Sequence, residues 1–167
     1  MPSVKKGNKM PSVVFVCLGN ICRSPTAHGV FQNFVDAAGL SEKIKVDSAG
    51  TSSWHIGDAP DARAQAEALL RGYDLSKLKA RQAMPQDFHI FDYICAMDQS
   101  NFDDLAQLSA GQNLSKLHLF MDFAPEWQMK QIPDPYYGND NGFADVLDMI
   151  EAASKRLLAD MKRNFDL

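Results

Sequence analysis

Four short runs rich in β-branched, aromatic and other apolar residues recur along this chain, and a segment of helical character follows each of the first three. The runs are "SVVFVC" (Ser12 to Cys17), "KIKVDSAG" (Lys43 to Gly50), "FDYICAM" (Phe91 to Met97) and "SKLHLF" (Ser115 to Phe120). Their length and residue types predict buried strands. Between them lie "TAHGVFQNFVDAAG", "PDARAQAEALLRGY" and "DQSNFDDLAQLSA", with Gly39 and Gly72 placed to end the first two helices and Asp98 or Ser100 near the start of the third. "FADVLDMIEAASKRLLADMKR" closes the chain as an amphipathic helix. Strand and helix in alternation predict an α/β fold of three layers: a four-stranded parallel sheet with helices on both faces.

A chain of 167 residues fits one domain, expected over residues 11–167. Residues 1–10 are expected to be a flexible tail or a cloning remnant. "PEWQMKQIPDPYYGNDNG", Pro125 to Gly142, is rich in proline, glycine and asparagine and is expected to be a long surface loop. The formal net charge of -4 argues against nucleic acid, whose phosphates select basic surfaces. No run approaches the roughly 18 apolar residues that span a bilayer. The N-terminal segment lacks a signal-peptide core, so the expected location is the cytoplasm, away from the membrane.

The three cysteines, Cys17, Cys22 and Cys95, are too few and too unevenly spaced for a disulfide framework or a zinc site. Cys95 lies within an apolar run and reads as a core thiol. The other two fall in "VCLGNICRSP", where the first strand meets the first helix. In parallel α/β folds ligands sit at that end of the strands. Gly19 and Asn20 are residue types that accept positive φ, which a tight cradle needs. Successive N–H groups of Leu18, Gly19, Asn20, Ile21 and Cys22 would then form an anion nest backed by the start of the helix. Arg23 adds a planar fork for two phosphate oxygens. Cys17, at the base of that nest, would be favoured as thiolate and aimed at phosphorus, with Ser24 able to donate to the sulfur.

From Pro11 to about Lys162 the chain resembles the low-molecular-weight protein tyrosine phosphatases, in "VCLGNICRSPTA", "VDSAGTSSWHIGDAPDARA", "KARQ", "FDYICAMDQSN" and "DPYYG". The resemblance implies a flavodoxin-like sheet of the phosphotyrosine phosphatase type. It implies hydrolysis of phosphotyrosine and small aryl phosphates through a phosphocysteine, with no metal and no cofactor. Carried over by position, Cys17 is the nucleophile, Arg23 the phosphate clamp and Asp134 the general acid and base. Asn20, Ser24 and Ser48 hold the loop in shape. On the residues alone Asp134 would be one more solvated loop aspartate; its place between two prolines in "IPDPYYG" and the resemblance give it the proton. Asp98 either bonds the loop or tunes Asp134, or else caps a helix. Trp54, His55, Tyr136 and Tyr137 are expected around the cleft, Trp54 and the tyrosines as walls deep enough to favour phosphotyrosine over phosphoserine. For Tyr137 core packing remains a serious alternative, and for His55 ordinary loop surface. In the resemblance Cys22 is also the redox partner of Cys17, against the plainer reading of a small packing residue. Where relatives carry a histidine two residues before "ARQ", this chain has Leu78, so the support of Asn20 is expected to differ. His28 stands where relatives have Glu or Met and is expected to carry no catalytic task.

The implied partners are a phosphate or similar oxyanion in the site and a phosphotyrosine-containing protein, a tyrosine kinase among the candidates. The chain is expected to act as a monomer or weak dimer. Two other readings compete: a thiol-dependent arsenate reductase of the same fold, which would need further redox cysteines downstream, and a non-catalytic phosphotyrosine-binding module, which would have lost Cys17 or Asp134.

Overall fold

The computed structural model describes residues 10–137 and 142–167, apart from the side chain of Tyr137. Nearly all of the tail expected over residues 1–10 therefore lies outside the described residues. Strands β1 (Ser12–Cys17), β2 (Lys45–Gly50), β3 (Tyr93–Ala96) and β4 (Leu117–Leu119) form one sheet in the order β2-β1-β3-β4, with every neighbouring pair parallel. The helices are α1 (Arg23–Ala37), α2 (Ala62–Leu70), α3 (Asp87–Ile90), α4 (Gln99–Ser109) and α5 (Gly142–Phe165). Among the described residues no helix is long and apolar enough to cross a membrane.

β1 explains why the sheet carries helices on both faces. All six of its residues are buried, and successive side chains point to opposite sides. Val13, Phe15 and Cys17 enter one core with Phe31 and Val35 of α1, Ala68 of α2 and Ile150 and Leu157 of α5. Val14 and Val16 enter the other with Phe88 of α3 and Leu105 of α4. Phe15 meets Phe31 and Phe120 edge-on, at centroid distances of 5.6 and 5.1 Å. Burying each such ring contributes ~1.5–3 kcal/mol. The three-layer α/β arrangement expected from the alternation is the one observed.

Two local expectations are corrected. Helix α3 was not anticipated, because four residues are too few to display a period. The segment from Pro125 to Gly142 is not wholly a surface loop: Ile132 is fully buried, and its N–H donates to Met97 O at 2.8 Å. That bond ties the loop to the end of β3. A short 3₁₀ turn, Pro135–Tyr137, follows.

The strand order turns outward from β1, with β2 on one side and β3 on the other, so the crevice opens at the carboxyl ends of β1 and β3. Cys17 ends β1 beside Gly50 of β2, and Asp98 follows β3 directly.

Candidate active site

The loop from Cys17 to Cys22 is shaped by where its carbonyl groups go. Cys17 O accepts from Thr51 N, Leu18 O from Ser52 N, Ile21 O from Asp61 N, and Cys22 O from both Thr26 N and Thr26 Oγ1. A trans peptide points its N–H opposite its C=O. With those carbonyls turned outward, the N–H groups of Leu18, Gly19, Cys22 and Arg23 turn inward, toward one centre. Cys22 caps α1 without a side-chain hydrogen bond, which leaves the helix's first N–H groups for the same centre. The result is a nest of the kind that binds anions.

Asn20 takes the left-handed conformation, φ 57°, that the sharpest part of the loop requires. Gly19 does not, contrary to expectation; its reason is room. A Cβ there would stand 3.0 Å from the His55 ring. Gly50 is tighter still, since a Cβ would lie 2.8 Å from Leu18 O and 3.0 Å from Gly19 C, both backbone atoms. The end of β2 thus supports the loop from behind only because residue 50 has no side chain.

Cys17 Sγ accepts from Asn20 N at 3.3 Å and lies 3.0 Å from Ser24 Oγ. Ser24 Oγ also accepts from Asn20 Nδ2 at 2.8 Å and lies 3.2 Å from Ala49 O. The hydroxyl has one proton and two acceptors to choose from. Facing a thiol it donates to Ala49 O; facing a thiolate it donates to sulfur. Ser24 is completely buried, so no water competes for that proton.

Arg23 is 2% exposed and is held by two contacts on one nitrogen. Nη1 donates to Asp98 Oδ2 at 2.6 Å and to Ile132 O at 3.0 Å, which uses both of its protons. The Nε and Nη2 protons remain for an oxyanion. Burial alone would lower the pKa of the guanidinium, but Cys17, Asp98 and Asp134 reverse this and raise it above the ordinary arginine value. Both readings of Asp98 hold together: Oδ1 accepts from Asn101 N at 2.7 Å as the cap of α4, and Oδ2 binds Arg23. Ile132 O could not have been found in the sequence, because a main-chain carbonyl leaves no residue signature.

Asp134 follows two residues after Ile132. Its Oδ1 accepts from Tyr136 N at 3.0 Å, which fixes the carboxyl plane, and its Oδ2 lies 3.6 Å from Arg23 Nη2. A cleft of about 90 Å³ is lined by Cys17, Leu18, Gly19, Ile21, Cys22, Arg23, Trp54, His55, Asp134 and Tyr136. Trp54 is 71% exposed at its mouth. The structure therefore brings the residues expected as nucleophile, clamp and acid into one cleft with three of the four residues expected around it. The side chain of Tyr137, the fourth, lies outside the described residues.

Ser48 is a correction. It pairs in register with Phe15 and so faces α1, where its hydroxyl meets His28 Nδ1 at 3.0 Å and not the loop. His28 is half-buried, and burial pushes its pKa below the ordinary 6.5, partly offset by Asp47. Arg63 was missed altogether. Its guanidinium lies over the rings of both Tyr136 (5.3 Å) and Phe143 (4.9 Å) while pairing with Asp61, and so ties the Asp134 turn to α2. Cys22 packs with Ala64 and Phe143. Burial first, then Asp61, Cys17 and Asp134, push its thiol up to about 12, with Arg63 opposing.

Comparison with known proteins places this geometry in context. Residues 12–167 match the family model of the low molecular weight phosphotyrosine protein phosphatases. The chain is 46% identical over 137 residues to the low molecular weight phosphotyrosine protein phosphatase of Homo sapiens, covering 81% of this chain and 85% of that protein. It is 39% identical over 158 residues to the low molecular weight protein-tyrosine-phosphatase YfkJ of Bacillus subtilis, covering 95% of this chain and all of that protein. The crystal structure of YfkJ superposes with a TM-score of 0.88 over 93% of this chain and 96% of that one. A protein tyrosine phosphatase of Entamoeba histolytica, crystallised with Hepes in the active site, also superposes at 0.88, with 38% identity over 92% of this chain and 97% of that one. A nest at the end of β1, matched along nearly the whole chain in sequence and in backbone, means that the chain belongs to the low molecular weight phosphotyrosine protein phosphatase family.

Proposed function

We propose that the chain hydrolyses phosphotyrosine, and small aryl phosphates like it, in two steps at the nest. Cys17 Sγ attacks phosphorus and forms an S–P bond. The bond from phosphorus to the phenolic oxygen breaks, and the departing oxygen takes the proton of Asp134. Water then attacks phosphorus and gives a proton back to Asp134. The S–P bond breaks, phosphate leaves, and the sulfur regains the Ser24 proton contact. Through both steps the inward N–H groups and the Nε–Nη2 edge of Arg23 hold the equatorial oxygens, where charge is spread in the transition state.

The observation that carries this reading is the placement of Cys17 Sγ: it accepts from Asn20 N, lies beside Ser24 Oγ, and lines the same cleft as Arg23 and Asp134. Trp54 and Tyr136 supply walls for an aromatic ring, which a phosphoserine would leave unfilled. Cys95 is fully buried in β3, so an electron relay of the arsenate-reductase kind has no downstream thiol to use. The substrate class we infer is a phosphotyrosyl protein, a tyrosine kinase being one candidate. The chain would act in the cytoplasm as one domain over residues 11–167, monomeric or weakly dimeric.

Rapid quench of the wild type with p-nitrophenyl phosphate is expected to show a burst of nitrophenol and, after denaturation, a phosphocysteine on Cys17. Cys17→Ser should lose turnover by several orders of magnitude. A variant that keeps a tenth of the activity rules out the covalent route.

A further inference from the structure

Residues 80–83 do more than follow the loop that carries Leu78. They lie along the outer side of β2, where Gln82 forms a parallel bridge with Gly50. Gly50 N donates to Arg81 O at 2.8 Å, and Ala83 N donates to Gly50 O at 2.7 Å. From this clasp Arg81 N donates to Asn20 Oδ1 at 3.0 Å. That single bond sets the orientation of the Asn20 amide. A backbone N–H only donates, so the carbonyl oxygen must face it, and the NH2 must face Ser24 Oγ. Ser24 Oγ then accepts from Asn20 and has its own proton left for Ala49 O or Cys17 Sγ.

The clasp is itself held by a guanidinium. Arg81 Nε donates to Asp47 Oδ2 at 3.1 Å, and Nη1 and Nη2 donate to Asp87 Oδ2 and Oδ1 at 3.1 and 3.2 Å. Asp87 is 4% exposed and also accepts from Met84 N at 2.8 Å. The fork therefore joins β2, through Asp47, to the start of α3, through Asp87, and fixes the main chain of residues 81–84 between them.

We infer that Asp47, Arg81 and Asp87 are positioning residues for the nucleophile: their ion bridge fixes the Arg81 N–H, and through Asn20 and Ser24 that N–H directs a proton to the sulfur of Cys17. The inference rests on the phosphatase reading of the Cys17 loop. None of the three lines the cleft, so a substrate contact does not explain them. Position 78 supplies no side-chain bond to Asn20 in this chain, so the contact that orients its oxygen comes from the main chain of Arg81.

The test is alkylation of Cys17 by iodoacetamide across pH, compared in wild type, Arg81→Met and Asp87→Asn. Asp87→Asn is nearly isosteric, keeps an acceptor for Met84 N and loses half of the fork, so it remains informative if Arg81→Met does not fold. The charged and titratable groups facing Cys17 are Arg23, Cys22, Asp134 and His55, and none is altered. Both variants are expected to need higher pH for the same alkylation rate. Their kcat on p-nitrophenyl phosphate should fall by about 10- to 100-fold, with KM moving by less than about threefold. Arg81→Lys, which can reach one carboxylate at a time, should fall between. An alkylation profile that matches wild type overturns the inference, whatever happens to melting temperature or kcat. If the wild type fails to hydrolyse aryl phosphates, the phosphatase reading falls, and the alkylation comparison still decides whether the bridge reaches the sulfur.

Discussion

Arg23 and Asp98 meet at 2.6 Å across the crevice between β1 and β3, and this pair decides which edge of the guanidinium faces the cleft. Asp98 serves two groups at once, Asn101 N on one oxygen and Arg23 on the other. Asp98→Asn offers a single carbonyl oxygen for both. Asparagine is a good helix cap, so the Arg23 contact is the one expected to be lost. The loosened fork should weaken oxyanion binding, and the inhibition constant of inorganic phosphate should rise by about tenfold or more. Titration with phosphate by calorimetry, set beside kcat/KM for an aryl phosphate, measures this; unchanged phosphate binding would remove Asp98 from that role.

Asp134 is held by Tyr136 N on one oxygen, with the other turned toward the Arg23 side of the cleft. Asp134→Asn keeps the turn and removes the proton. For phosphoesters of high leaving-group pKa the loss should be about 10²- to 10⁴-fold, and far smaller for nitrophenols, which depart unprotonated. The slope of log kcat/KM against leaving-group pKa should therefore steepen. A parallel drop across the series would mean that Asp134 only shapes the turn.

Peroxide should oxidise the Cys17 thiolate to a sulfenic acid, and Cys22 would resolve it: the Cys22 thiolate attacks that sulfur, a disulfide forms and hydroxide leaves. The Cys22 thiol, pushed up to about 12 mainly by burial, makes this slow at neutral pH, because only the thiolate attacks. Protection against irreversible oxidation should accordingly grow by about tenfold per pH unit. Wild type should recover with dithiothreitol and yield a Cys17–Cys22 peptide, and Cys22→Ser should not recover fully. Equal recovery of both proteins assigns Cys22 to packing alone.

His28 gives stability a pH dependence separate from catalysis. Burial keeps its folded pKa below 6.5, so the unfolded chain takes up the proton first as pH falls. Below about 6.5 the unfolded state binds more protons, and stability is lost as pH drops from there toward the folded value. Urea unfolding from pH 7 to pH 5 should show this slope in wild type and a flatter one in His28→Gln. An identical slope in both would place the dependence elsewhere.

The sequence made the strands and the Cys17 loop legible for one reason: both are local. β1 is six consecutive buried residues, and the loop's main-chain donors, Cys17, Arg23 and Ser24 lie within eight positions of one another. What it did not reveal was long-range. Arg23 depends on a carbonyl 109 residues away, and Asn20 on an amide 61 residues away. Main-chain groups are common to all residues, so no pattern announces them. Arg63 was overlooked for a related reason, since its partners Tyr136 and Phe143 become neighbours only after the chain has closed. Ser48 departs from the role that the resemblance implies because the resemblance carries a residue's position, whereas its hydroxyl's partner depends on what stands at residue 28.

β2 is the outermost strand on its side, and such a strand offers unpaired main-chain groups to any other chain that meets it. The bonds of Gly50 to residues 81 and 83 close the end of that border nearest the site. Releasing the clasp would therefore free the Asn20 amide and uncover main-chain groups at that border in the same movement. A variant that releases the clasp is therefore expected to lose turnover and gain self-association together, which light scattering set beside an activity assay would show.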